Sequence, residues 1–319
     1  MTGSAVTGWG FALPEKKLGN QELGERFEVS PEWIFKRTGI EERRLASPEE
    51  TSAELGTLAS AKALAVAGLD PAELDMVIVA TSTPDFQMPS AASLVQDKLK
   101  ATGAGAFDLN AACSGFLYAL AQAHGLAAAG TARRIMVCGS DTLTHVTDAD
   151  DVGTSILFGD GAGSVVVEAV EGPSRLGPFN LLSDGAQAPL LYIPKAAGVM
   201  RMRGREVYRH AVEGMAGAVR DTLDAAGLET TEIDALVAHQ ANARILEAVA
   251  ARLDLKEDQV LSNIAHYGNT SAASIPIELA LAADAGLLAD GSVVVVTAFG
   301  AGFAWGAGIV RWGRADAHV

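Results

Sequence analysis

Three residue types with chemical potential fall at structural junctions of this chain. Cys113 closes the stretch Asp108-Leu-Asn-Ala-Ala-Cys113-Ser-Gly. Before it, Gly105 to Leu109 is a short apolar run that reads as a strand; after it, Ser114 to about Gly130 reads as a helix apolar nearly all round, hence buried. A thiol at a helix start meets unpaired backbone N–H groups and the positive end of the helix dipole, which favour the nucleophilic thiolate. Cysteine is also a common small core residue, so position alone leaves both readings open. His239 follows directly on the buried run Ala235-Leu-Val-Ala238, where core packing requires no imidazole. Asn269 lies in the polar loop His266-Tyr-Gly-Asn269-Thr-Ser, where a turn or a helix cap is the ordinary use of asparagine. Phe299-Gly-Ala-Gly-Phe-Ala-Trp305 joins two strands, so it is not a dinucleotide fingerprint, but it can offer a backbone N–H to an oxyanion. These groups suit acyl transfer through a thioester. A serine hydrolase would need a G-x-S-x-G elbow, which the chain lacks.

The elements that must bring these residues together show an internal repeat. Ala67-Gly-Leu-Asp-Pro-Ala-Glu-Leu-Asp75-Met-Val-Ile-Val-Ala80 matches Ala226-Gly-Leu-Glu-Thr-Thr-Glu-Ile-Asp234-Ala-Leu-Val-Ala-His239 at a constant offset of 159, Gly68 answering to Gly227. Each copy is helix, turn, buried strand. Further on, Ala273 to Gly286 reads as a helix in the place held by the Cys113 helix, and the Gly291–Phe299 strand parallels the one ending at Gly139. Alternating β and α in two copies predicts two layered α/β halves about a pseudo-two-fold axis, divided as residues 1–170 and 171–319. Such an axis gathers the strand ends, where open α/β sheets carry their sites. Phe158-Gly-Asp-Gly-Ala-Gly163 precedes a strand rather than a helix, so it is read as unusual turn geometry and not as a phosphate loop.

Composition removes other classes. The chain has 319 residues, 49% hydrophobic and 20% charged, a globular composition. A net charge of −15 argues against a nucleic-acid partner. Two cysteines make no disulfide framework or C-x-x-C pair, and the six histidines show no metal spacing. Cys138 sits in a buried-strand pattern and His266 reads as solvated or structural. No signal segment or membrane-length apolar run is visible, so a cytoplasmic protein is expected. Arg201-Met-Arg-Gly-Arg-Glu-Val-Tyr-Arg209 places four arginines in nine residues of an acidic chain. It reads either as a solvated helix start or as a docking patch for an acidic partner.

Ala112-Cys113-Ser-Gly-Phe116, His239-Gln-Ala-Asn242, Gly268-Asn-Thr-Ser-Ala-Ala-Ser-Ile-Pro276 and Gly300-Ala-Gly-Phe-Ala-Trp305 resemble the β-ketoacyl-acyl carrier protein synthase III family of the thiolase superfamily. Arg37-Thr-Gly-Ile-Glu-Glu-Arg43 and the Phe158–Gly163 segment match it too, so the resemblance spans essentially the whole chain. It implies a five-layered α-β-α-β-α homodimer. It also implies a decarboxylative Claisen condensation, in which Cys113 takes an acyl group from acyl-CoA and malonyl-acyl carrier protein supplies the carbanion, initiating fatty acid or polyketide synthesis. By resemblance, His239 and Asn269 donate hydrogen bonds to the malonyl thioester, the N–H groups of Cys113 and Ala301 form the oxyanion hole, and Phe303 shields the thiol. Trp33, Arg37, Val152, Gly204 and Asn242 fall at CoA or phosphopantetheine positions. Arg205, Arg209, Gln240, Arg244 and Arg252 fall where the carrier protein docks, and Met88 where one protomer lines its partner's acyl pocket. No metal or resident cofactor is implied. One position departs from the pattern: Val152 replaces a nucleotide-stacking arginine and follows Asp148, Asp150 and Asp151, which should weaken the hold on CoA. That departure keeps an alternative open, a related acyltransferase that uses a non-CoA donor or passes the acyl group to an amine or hydroxyl.

Overall fold

The computed structural model describes residues 2–194 and 198–313. Ten strands form two five-stranded sheets. The first uses β1 (Thr2–Ala12), β2 (Met76–Ala80), β3 (Gly105–Leu109), β4 (Arg134–Thr142) and β5 (Asp160–Glu171), in the order β1-β5-β4-β2-β3. The second uses β6 (Leu176–Ser183), β7 (Ala235–Ala238), β8 (Val260–Leu261), β9 (Val293–Gly300) and β10 (Ala304–Arg311), in the order β6-β10-β9-β7-β8. The two orders correspond strand for strand. In both, three strands run parallel and the remaining two pair antiparallel. All first-sheet strands lie within residues 2–171 and all second-sheet strands within 176–311.

Helices α1 (Pro31–Thr38), α2 (Ser52–Ala67), α3 (Ala91–Leu99), α4 (Gly115–Ala128), α5 (Gly204–Ala226), α6 (Ala243–Arg252) and α7 (Ser274–Asp284) supply the other layers. Of these, α2 and α3 cover the outer face of the first sheet, and α5, backed by α6, covers the second. Between the sheets lie α4 and α7, giving the five-layered α-β-α-β-α thiolase-like architecture. Burial explains the middle layer: Phe116, Leu117, Leu120 and Ala123 of α4 and Ile277, Leu279 and Ala280 of α7 are fully buried. A helix apolar on every side has no stable place at the surface. Local signals set the ends. Ser30 and Ser90 cap α1 and α3, and Gly68 and Gly227, equivalent in the repeat, end α2 and α5 at φ +73 and +66. Asp75 and Asp234, also equivalent, accept backbone N–H groups at the start of β4 and β9.

The glycine-rich segment departs from expectation. Gly159, Gly161 and Gly163 have no positive φ, and the latter two lie within β5. Their role is close approach: a Cβ on Gly163 would stand 2.6 Å from Ile277 N, and one on Gly159 2.3 Å from Tyr267 O. Absent side chains let the Asn269 loop and α7 lie directly on the first half.

Glu278 is a charge inside this packed layer, 5% exposed, with no hydrogen-bond partner for Oε2 among the described residues. Burial pushes its carboxyl up to about 7. A raised carboxyl costs nothing below its unfolded value of 4.5; the penalty builds between 4.5 and about 7 and stays at its full size above that. Glu278→Gln is therefore expected to raise stability by on the order of 2–3 kcal/mol at pH 8 and to change it little at pH 5, read by denaturant unfolding at both pH values.

Candidate active site

Cys113 lies in a single 3₁₀ turn, Ala112–Ser114, between β3 and α4. Ala112 holds φ +48, its N–H bonded to the Asn110 side chain. Buried Ser114 donates to the Ala304 carbonyl at 2.8 Å, tying the turn to β10. The repeat generates a matching turn, Ser271–Ala273, with Ser271 at φ +53. The two turns touch: the Ser271 hydroxyl donates to Cys113 Sγ at 3.4 Å. The left-handed backbone at both positions is local strain, which is typical of functional sites.

Equivalent residues that differ in the two halves meet at this site. Ala80 answers to His239, Ala272 to Cys113 and Gly300 to Asp141, all at the 159 offset. Buried Asp141 accepts N–H groups from Ala272 at 3.2 Å and Ser82 at 2.7 Å. Its counterpart Gly300 has no side chain, and a Cβ there would come 2.7 Å from Cys113 N. One half thus seats its own carboxylate against a backbone donor. The other keeps the corresponding space beside Cys113 N clear, which suits that N–H to a transient oxyanion.

The expected ease of ionisation meets an opposing effect. Burial pushes the Cys113 thiol up to about 12, Asp141 adds to the rise, and the Ser271 hydrogen bond offsets only part of it. The thiol sits in the turn at the cavity floor, and desolvation there outweighs the favourable helix end. Burial thus favours the thiol over the thiolate, and a base that takes its proton would assist attack.

His239, 2% exposed, has Nδ1 2.7 Å from Ser274 Oγ on α7. Burial lowers the imidazole to about 4, against a partial rise from its bond to the Ser271 backbone. It is neutral at physiological pH and can accept or donate one proton. Condensation is accordingly expected to show no His239 titration from pH 8 to about 5 and to fall as pH approaches about 4, measured as kcat against pH. Asn269, 5% exposed, accepts the Ser271 N–H on Oδ1 at 2.9 Å, which leaves its Nδ2 group to donate.

A cavity of about 920 Å³ reaches these residues. Cys113, His239, Asn269 and Ala301 share it with Trp33, Arg37, Val152, Gly204 and Asn242, as well as Arg205 and Arg244. Arg37 stacks on Trp33 at 4.2 Å. The Asn242 amide is committed: it donates to Arg37 O and caps α6 through Arg244 N, so it clamps α1 to α6 at the cavity mouth. Val152 opens a short helical turn, Val152–Ser155, capped by Asp151. Arg43 is fully buried and donates to Leu18 O, Asn20 Oδ1 and Ile156 O, fixing the wall beside it.

Two expectations are corrected. Phe303 does not line the cavity; it is buried against Phe299, rings 4.7 Å apart, and of the two only Phe299 is on the wall. Gln240 is not a docking residue. It is fully buried, its amide bonded to Ala238 O and its carbonyl to Ser262 Oγ and Asn263 N. Arg209 and Arg252 are exposed outside the cavity, and Met88 is 85% exposed and does not line it. Ser271, Ser274, Asp141 and Phe299 were not anticipated as site residues. For Asp141, the signal was available in the repeat, as a charged residue standing opposite a glycine.

Family models described as 3-oxoacyl-[acyl-carrier-protein] synthase III match residues 107–185, and its C-terminal part matches 223–312. A β-ketoacyl-[acyl-carrier-protein] synthase III from Paracoccus denitrificans is 45% identical over 98% of this chain and all of that relative. The crystal structure of the Pseudomonas aeruginosa synthase III superposes with TM-score 0.94 at 44% identity, covering 98% of this chain and 99% of that one. The priming β-ketosynthase of the R1128 polyketide pathway superposes with TM-score 0.91 at 35% identity, over 97% of this chain and 96% of that one.

Proposed function

Because this chain belongs to the 3-oxoacyl-[acyl-carrier-protein] synthase III family, we propose that it joins an acyl thioester to malonyl-acyl carrier protein by decarboxylative Claisen condensation, the priming step of fatty acid or polyketide synthesis. The observation that carries this reading is the meeting of Cys113, His239 and Asn269 in one cavity, with the space beside Cys113 N kept open by Gly300.

In the first stage Cys113 Sγ attacks the acyl thioester, its proton passes to a base, and the donor thiol leaves protonated. The backbone N–H groups of Cys113 and Ala301 hold the oxyanion. In the second stage the malonyl C–CO₂⁻ bond breaks and its electron pair moves onto the thioester carbonyl as an enolate, to which His239 and Asn269 donate. The enolate carbon attacks the acyl-Cys113 carbonyl, the C–S bond breaks, and the thiolate recovers a proton. Each step balances with groups of this chain, its substrates and one proton from solvent that restores the Cys113 thiol, so the reading calls for no metal or resident cofactor.

A homodimer is part of the proposal. The loop bearing Phe86 and Met88, 55% and 85% exposed, lies beside edge strand β3, whose Phe107 is 36% exposed, and a second copy would cover this apolar edge. We place the reaction in the cytoplasm, where CoA and carrier-protein thioesters are made. No described helix is long and apolar enough to cross a membrane. Arg205 and Arg244 line the cavity and Arg209 and Arg252 are exposed beyond it, basic character that would suit an acidic carrier protein. Val152 beside an acidic run favours a second donor class, acyl groups on a carrier protein, which bring no nucleotide to the mouth. An acceptor amine or hydroxyl is disfavoured, because two hydrogen-bond donors, His239 and Asn269, in one cavity suit a decarboxylating malonyl thioester better than a proton-bearing acceptor.

Offered malonyl-carrier protein and a panel of acyl-CoA and acyl-carrier donors, the enzyme is expected to release carbon dioxide and form β-ketoacyl-carrier protein. No product from any donor would overturn the reading.

A further inference from the structure

The two stages ask opposite things of His239. Acylation needs a lone pair on the cavity-facing nitrogen to receive the Cys113 proton; decarboxylation needs an N–H there to donate to the enolate. Nδ1 is turned to Ser274, so Nε2 is the nitrogen left for substrate. A neutral imidazole carries one proton, and what Nδ1 bonds to decides where it sits.

Ser274 controls that choice. Its hydroxyl is fully buried, with Oγ 2.7 Å from His239 Nδ1 and 2.8 Å from the Ser271 carbonyl, and it accepts the Gln240 N–H at 3.3 Å. One hydroxyl proton faces two acceptors at all but equal distance: it donates to the Ser271 carbonyl in the contact at 2.8 Å, and a rotation turns it to Nδ1. Donated to Nδ1, it leaves Nε2 protonated. Rotated to the Ser271 carbonyl, it accepts from Nδ1–H, and Nε2 becomes a base. The site of rotation is the first turn of α7, packed between the sheets, so the hydroxyl can turn while the ring stays fixed.

Resting on the condensation reading above, we propose that Ser274 is a positioning residue whose hydroxyl, donated to His239 Nδ1, holds the imidazole proton on Nε2 for the decarboxylating stage. In that stage the malonyl C–C bond breaks, its electron pair becomes the enolate, carbon dioxide departs, and Nε2–H hydrogen-bonds the enolate oxygen without transferring its proton. Ser274 never touches substrate.

Ser274→Ala removes the hydroxyl beside Nδ1, so nothing donates to that nitrogen to hold the imidazole proton on Nε2. The variant is expected to keep acylation of Cys113 while its malonyl decarboxylation falls about a hundredfold, the usual cost of one lost transition-state donor. The half-reactions are read separately, as acyl-enzyme mass and as carbon dioxide release. A purely structural residue would lower both alike, and that result overturns the proposal. ¹⁵N NMR of the histidine-labelled wild-type acyl-enzyme, the state that enters the decarboxylating stage, tests it independently of the variant's folding. Nε2–H for His239 supports the proposal, and Nδ1–H overturns it. If the wild type itself shows neither half-reaction, the condensation reading falls and takes this inference with it. If the wild type shows both and Ser274→Ala slows them equally, only the role of Ser274 falls.

Discussion

A Cys113→Ala enzyme folds like its parent and makes no β-ketoacyl product. The loss is expected to be on the order of a millionfold, the scale seen when a covalent nucleophile is removed and only binding and oxyanion donors remain. Stability should change little, because the substitution deletes a single sulfur that faces the cavity and breaks only the weak 3.4 Å bond from Ser271. The Cys113 N–H, Ala301 and the Ser114 anchor to β10 stay in place. The measurement pairs initial rates with thermal unfolding. A protein that keeps its midpoint and loses turnover isolates chemistry from folding. Residual turnover within tenfold of the parent, by contrast, would mean that the acyl group is not carried by this thiol.

The second large effect falls on Asn269, where two substitutions separate donation from structure. Its Oδ1 accepts the Ser271 N–H and its Nδ2 is free to donate. Asn269→Asp keeps the acceptor that holds the Ser271 turn but replaces the donor with a negative oxygen facing a developing enolate. Asn269→Ala loses both. If the amide acts only as a turn cap, Asp should be the milder change. The mechanism predicts the reverse: Ala costs about 10²–10³ in condensation, and Asp costs at least as much, because repulsion of like charge adds to the missing hydrogen bond. Acylation of Cys113 is expected to survive in both. Rates of acyl-enzyme formation and carbon dioxide release, measured separately for the two proteins, decide the matter.

Much of this was legible in the sequence because the repeat is a strong constraint. Once Gly68 and Gly227 fix the offset, the alternation of β and α sets the layers, and a residue that breaks the repeat, such as His239 opposite Ala80, stands out as functional. The hidden parts are those decided by direction and by desolvation. Phe299 and Phe303 are both aromatics flanking a glycine-rich turn, and only the path of β9 into that turn shows which meets the cavity. Gln240 adjoins the key histidine, yet its side chain points into the core. The thiol's environment pits a helix end against burial, and sequence shows the first and conceals the second. Ser271 and Ser274 lay within a recognised motif, but their partners are 158 and 35 residues away in the chain, so no local pattern gave them roles. The glycines of 159–163 likewise owe their identity to α7 and Tyr267, more than a hundred residues on.

The covalent intermediate is the centre of the mechanism, and mass spectrometry reads it directly. The enzyme is mixed with acyl donor alone, and its intact mass and Cys113 peptide are followed before and after malonyl-carrier protein is added. Predicted is a single acyl increment on the Cys113 peptide that is stable until malonyl-carrier protein arrives, then discharges with one carbon dioxide released per acyl group. Product formed at full rate with no increment on Cys113, or an increment that malonyl-carrier protein never discharges, would contradict it.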